Sequence, residues 1–117
     1  MWEIEGTDEF WAWYNVLDEP EFSAVNAVVD KLAEVGPGIR RPLTGHIASS
    51  RHKNMRELIV PYGNLRVLFV FDPRRTAILL MGGDKTDRWE EWYDENVPRA
   101  DNLYDKYIAE LRREGLL

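Results

Sequence analysis

Cysteine is absent from the 117 residues, which removes disulfide frameworks, thiolate metal sites and cysteine nucleophiles together. Histidine is nearly absent too. His46 and His52 stand six positions apart in a polar stretch without a set of carboxylates at metal-ligand spacing, so no metal site is expected. No apolar run is long enough to cross a bilayer: the longest, around Val67–Phe71 and Ile78–Met81, are strand-sized. The opening Met1-Trp2-Glu3-Ile4-Glu5 is acidic where export and transit signals are basic, so a cytoplasmic location with no membrane partner is expected. Bases are outnumbered, with 15 Lys and Arg against 21 Asp and Glu, for a net charge of −6. Taken alone, that total argues against a nucleic-acid partner.

What is present is a chain of ordinary globular composition, 44% hydrophobic and rich in aromatics, and long enough for one core. The charge is unevenly spread. Residues 1–39 carry Lys31 alone against nine acids, a balance of −8. Residues 40–88 carry ten bases against Glu57, Asp72, Asp84 and Asp87, a balance of +6. Residues 89–117 return to −4, with four bases against eight acids. Such asymmetry either pairs acidic helices with a basic sheet inside the molecule or marks a basic surface for an anionic partner.

The hydrophobic period places the elements. Trp2-Glu3-Ile4 suits a short strand. Thr7 is an N-cap for a helix carrying Phe10, Trp13, Tyr14 and Leu17 on one face. Pro20 opens a second helix, striped with Phe22, Val25, Val29 and Leu32, and Gly36-Pro37-Gly38 stops it. Extended segments follow at Leu43–Ile47, Met55–Val60, Leu65–Phe71 and Thr76–Met81, the last ended by Gly82-Gly83. Asp72-Pro73-Arg74-Arg75 reads as a solvated hairpin turn. A final helical stripe runs through Trp89, Trp92, Tyr93 and Val97 to Leu111, broken or kinked at Pro98. The expectation is one α+β domain over 1–117: a small antiparallel sheet with an N-terminal helical hairpin and a C-terminal helix.

Gly82-Gly83-Asp84-Lys85-Thr86 fails the glycine spacing of a phosphate-binding loop. The basic residues on the strands carry more chemistry. Arg66 interrupts an otherwise apolar strand, so its guanidinium must emerge on a sheet face or find partners. In a suitable register Arg56 joins it on that face. Lys85 and Arg88 follow the last strand, and Arg51, His52 and Lys53 precede the first strong one. Gathered by a meander, these groups make a concave cationic patch able to bind a phosphodiester and stabilise charge developing on phosphorus. Taken singly, Arg56 and Arg66 also read as structural ion pairs with Glu57 or a helix carboxylate. Trp89, Trp92 and Tyr93 fit core packing at helical spacing better than base stacking.

Met55-Arg56-Glu57-Leu58, Leu65-Arg66-Val67-Leu68-Phe69-Val70-Phe71-Asp72 and Ala77-Ile78-Leu79-Leu80-Met81-Gly82-Gly83-Asp84-Lys85, in that order, resemble the core of HigB/RelE-type toxins of bacterial toxin–antitoxin systems. The resemblance implies a RelE-like fold and a metal- and cofactor-free endoribonuclease. It would cut messenger RNA on the ribosome by attack of the 2′-hydroxyl on its own phosphodiester. It implies catalytic roles for Arg56, Arg66 and Lys85, RNA or ribosome contacts from Arg51, His52, Lys53 and Arg88, and a cognate antitoxin, of helix-turn-helix DNA-binding type, as partner. Two departures stand out. Ile59 occupies a position that is basic in many members, and where many members carry a His or Tyr near the C-terminal strand or helix this chain has no His and only Trp92 or Tyr93 as an approximate match, which leaves Lys85, His46 and His52 as candidate general bases. A non-catalytic module of the same fold that inhibits a protein target such as DNA gyrase, and an inactive phage-derived member, are the alternatives.

Overall fold

Thr7 sets the first junction of the fold. In the computed structural model, which describes all 117 residues, β1 (Ile4–Gly6) runs directly into α1 (Asp8–Tyr14). The Thr7 hydroxyl accepts from Phe10 N at 3.0 Å and donates to Leu80 O at 2.7 Å, capping the helix and tying it to the sheet at once. Asp18 and Glu21 then form a capping box at the start of α2 (Glu19–Val35). A single 3₁₀ turn, Gly36–Gly38, ends the hairpin. Gly36 has φ of 59°, and a Cβ there would come within 2.3 Å of the Trp2 ring, so glycine is required on both counts.

The remaining strands are β2 (Thr44–His46), β3 (Arg56–Ile59), β4 (Leu65–Phe71) and β5 (Ala77–Asp84), followed by α3 (Trp89–Arg113). The sheet order is β1-β5-β4-β3-β2. The four later strands form the expected antiparallel meander, and β1 adds to its edge in parallel with β5, so the sheet is mixed rather than purely antiparallel. β5 is covered on both faces, which explains its unbroken apolar run. On one face Leu58, Val67, Phe69 and Leu79 pack with Phe10, Val28 and Leu32 of the helical hairpin. On the other, Leu68, Val70, Ile78, Leu80 and Met81 pack with Trp92, Val97 and Ala100 of α3.

The pairing of β4 with β5 is irregular between Leu68 and Phe69: Leu68 faces Met81, whereas Phe69 faces Leu79. Leu80 is the additional residue, and Leu80 and Met81 both enter the α3-side core. Alternation therefore changes phase along β5. Gly82 lies under Trp13 of α1, and Gly83 lies under Trp92 of α3.

Three expectations are corrected. The strand does not stop at Gly82-Gly83 but continues to Asp84, because the missing side chains make room for the two indoles. Pro98 does not break the last helix, which is continuous for 25 residues. Asp94 and Pro98 are both exposed, so water can meet the carbonyl deprived of its N–H partner. The 72–75 turn is not merely solvated. Buried Asp72 accepts from the Arg74 and Thr76 amides, and the Arg74 guanidinium bridges Asp72 at 2.7 Å and Glu5 at 2.9 Å. Glu5 also accepts from the Tyr107 hydroxyl, so the turn, β1 and α3 share one polar junction, and the Arg74 guanidinium holds the Glu5 carboxyl below its ordinary range.

Gly82→Ala places a methyl within 2.3 Å of the Trp13 ring, and urea unfolding should show a loss of about 1–3 kcal/mol. Gly38→Ala, with no heavy atom within 4 Å of the new carbon, should change stability by less than about 0.5 kcal/mol.

Candidate functional site on the α3 face of the sheet

Register decides which cations meet. Ile59 pairs with Arg66 and Arg56 pairs with Phe69. Arg66 and Phe69 stand three positions apart on one strand, an odd offset, so Arg56 and Arg66 point to opposite faces. Arg56 lies on the helical-hairpin side, where its guanidinium donates to Ile39 O at 2.8 Å and Pro37 O at 3.3 Å and stands 5.7 Å from the Phe69 ring centre. It anchors the chain leaving α2. The expected union of Arg56 with Arg66 is therefore overturned by strand parity.

Arg66 lies on the α3 side with Glu57 of β3, Lys85 just beyond β5, and Tyr93 of α3. The Arg66 and Glu57 side chains are only 13% and 14% exposed, and Arg66 Nε is 3.4 Å from Glu57 Oε1. The contact is ionic without hydrogen-bond geometry: Arg66 Nε is buried and has no hydrogen-bond partner. Another guanidinium nitrogen donates to the Leu65 carbonyl at 2.9 Å. Glu57 Oε1 instead accepts from the Tyr93 hydroxyl at 2.6 Å. Burial, then the Glu57 carboxylate, push the Tyr93 phenol up to about 12, so it stays protonated at neutral pH.

Lys85 Nζ sits 4.8 Å from the Trp89 ring centre and 5.2 Å from that of Tyr93. Its amide donates to Asn64 O at 3.1 Å, fixing the chain as it leaves the sheet. Burial lowers the Lys85 ammonium from its ordinary range, and the charge of Arg66 lowers it further. The cluster thus offers a largely enclosed cation, an amine moved toward neutrality, and a protonated phenol, all at one end of the sheet. These are the parts needed to hold a phosphodiester, offset added negative charge and exchange protons.

The remaining basic residues do not join the cluster. Arg51 pairs with Asp105 at 2.7 Å and donates to Asn102 at 2.7 Å, and His52 Nε2 lies 2.9 Å from Asp105. Ser50 and the Arg51 amide also bind Asp101, so α3 pins this loop. Asp105 lies twelve residues beyond Tyr93, about 18 Å along the helix. Lys53 is exposed in the same loop, and Arg88 pairs with Glu95 on the first turns of α3. The single concave patch expected from the sequence is therefore divided into a compact site and a separate basic loop, and the loop does not fold over the sheet to bring His52 near Lys85. Glu57 and Tyr93 are the site residues whose part the sequence understates. The signal for Glu57 is its parity with Ile59, which Arg66 faces across the strands.

The family model described as "Phage derived protein Gp49-like (DUF891)" matches residues 12–105. Candidate toxin HigB2 of Mycobacterium tuberculosis is 41% identical over 102 residues, spanning 85% of this chain and 51% of HigB2. Candidate toxin HigB3 of the same organism is 39% identical over 97 residues, spanning 83% of this chain and 85% of HigB3. The chain thus spans about half the length of the first relative and most of the second. The structure of E. coli toxin RelE in the free state, a double arginine-to-alanine mutant, matches with a TM-score of 0.62 at 11% identity, covering 84% of this chain and 96% of RelE. The fold is of the RelE class, as expected. Within that class of fold the chain belongs to the Gp49-like family and is similar over most of its length to HigB2 and HigB3.

Removing the Arg66 charge should raise the Lys85 pKa toward its ordinary value, because a neighbouring cation disfavours the ammonium. NMR titration of the Lys85 side chain in Arg66→Ala against the unsubstituted protein measures this. An unchanged or lower pKa would show that the two groups are not electrostatically coupled.

Proposed function

We propose that this chain is the toxin of a toxin–antitoxin pair and a ribosome-dependent messenger-RNA endoribonuclease of the cytoplasm, its single domain formed by residues 1–117. The observation that carries this reading is the pair of cations at one end of the sheet: a largely enclosed Arg66 guanidinium beside Lys85, whose ammonium meets aromatic rings and has no carboxylate in salt-bridge contact. Two cations held close together favour an anionic oxygen as ligand.

In the proposed reaction the 2′-oxygen attacks the adjacent phosphorus, forming the 2′-O–P bond as the P–O5′ bond breaks. The products are a 2′,3′-cyclic phosphate and a free 5′-hydroxyl. Arg66 holds the phosphate and offsets the negative charge of the pentavalent transition state. Lys85 in its neutral form takes the proton of the 2′-hydroxyl, and the Tyr93 hydroxyl, turning from Glu57, gives its phenolic proton to the departing 5′-oxygen. Glu57 orients Tyr93 and limits the cost of burying Arg66. Arg56 is removed from the catalytic group by its position on the opposite face and is assigned to stability. Arg51, His52, Lys53 and Arg88 are assigned to contacts with RNA or ribosome outside the reaction centre. The cognate antitoxin is the expected protein partner.

Since the reacting form of Lys85 is the free amine, kcat/KM should rise with pH toward the lowered Lys85 pKa and then level. Expression of the unsubstituted chain should arrest growth, and Arg66→Ala or Lys85→Ala should relieve it with the fold intact, each lowering kcat/KM by about 10²–10³. Arg56→Ala should retain arrest wherever the protein still folds. Arrest of full strength by folded Arg66→Ala would remove that residue from catalysis. Uncleaved messenger together with inhibited DNA supercoiling would favour the non-catalytic, gyrase-directed alternative.

A further inference from the structure

Trp89 is the one aromatic of its cluster that the fold does not use for packing. Trp92 is buried at 3% exposure, and Tyr93 is half-buried and bound to Glu57, whereas Trp89 is 56% exposed. It is the first residue of α3, and its φ of 25° is a conformation that bulky side chains rarely adopt. Asp87, two residues earlier, is also left-handed, with φ of 61°. The link from β5 to α3 is thus strained at Trp89, and it holds an indole in solvent at a cost that neither core packing nor capping explains. The indole is not isolated, since Lys85 Nζ lies 4.8 Å from its centre. An ammonium against an aromatic ring couples the position of one to that of the other.

We infer that Trp89 is a substrate-positioning residue, its indole stacking on the nucleobase next to the phosphate held by Arg66 and Lys85. The inference rests on the nuclease reading above and adds the recognition of the base to it. Behind the phosphate site the sheet is closed by Trp92 and Tyr93, so an attached nucleoside extends outward, past the Trp89 indole. Stacking on an indole accepts every base, with purines favoured by their larger overlap.

The test is cleavage of messenger on programmed ribosomes by the unsubstituted protein, Trp89→Ala and Trp89→Phe, together with quenching of 2-aminopurine placed beside a 2′-deoxy, uncleavable scissile nucleotide. Trp89→Ala should raise KM by about tenfold or more, leave kcat within about threefold, and abolish the quenching, and Trp89→Phe should restore most of each. Because Trp89 is exposed, thermal unfolding of the variants should match the unsubstituted protein. Cleavage by Trp89→Ala with unaltered KM and quenching would overturn the stacking role and leave the nuclease reading standing. A fall in kcat alone would likewise overturn it. No cleavage by the unsubstituted protein would remove the nuclease reading and the stacking role together.

Discussion

The slip in pairing opposite Leu68 and Phe69 decides which side chains meet on the sheet. Strict alternation from Leu79, which faces the helical hairpin, would send residues 81, 83 and 85 to that same face. With Leu80 as an additional residue, Met81 and Gly83 face α3 instead, and Lys85 leaves the strand beside Arg66, Trp89 and Tyr93. The same shift turns Gly82 toward Trp13, so the helical hairpin can settle close against β5. One irregularity therefore serves both the packing of α1 and the assembly of the cationic cluster.

Burying a guanidinium sets the second condition. Arg66 stands among apolar neighbours, and Glu57 reduces the penalty without removing it, because the ionic contact lacks hydrogen-bond geometry. Tyr93 holds the carboxylate in place from α3, and Arg66 in turn disfavours the charged form of Lys85. The overall charge of −6 conceals this local arrangement. Elsewhere the basic segment is partly neutralised from both acidic ends, through Arg74 with Glu5, Arg51 with Asp105 and Arg88 with Glu95. Lys85 has aromatic rings rather than a carboxylate as its nearest partners, and local potential, not net charge, governs what approaches such a site.

Hydrophobic periodicity carries the element order, the two-helix hairpin, the apolar β4 and the long amphipathic α3. These depend on near neighbours in the chain, and the cap at Thr7 is visible in the same way. Arg66 and Lys85 are legible because a charge within an apolar strand and a base at a strand end both need explaining. The face of Arg56 is not legible, since parity depends on a register set between strands. Lys85's face is hidden too, because no residue announces the extra position on β5. Gly82-Gly83 and Pro98 mislead because context outweighs their local preference to end an element: the indoles packed over the glycines in one case, and the solvated side of a long helix in the other. Glu57 is understated because a lone strand carboxylate reads as an ion-pair partner until Tyr93 is brought to it from α3.

The most direct test of the account is the chemistry of the cut ends. Messenger bound to programmed ribosomes, treated with the purified protein and examined by mass spectrometry, should carry a 2′,3′-cyclic phosphate upstream of each cut and a 5′-hydroxyl downstream, with both lost in Lys85→Ala. Intact messenger, or fragments bearing a 5′-phosphate, would contradict a site in which Arg66, Lys85 and Tyr93 direct the 2′-oxygen against its own phosphodiester.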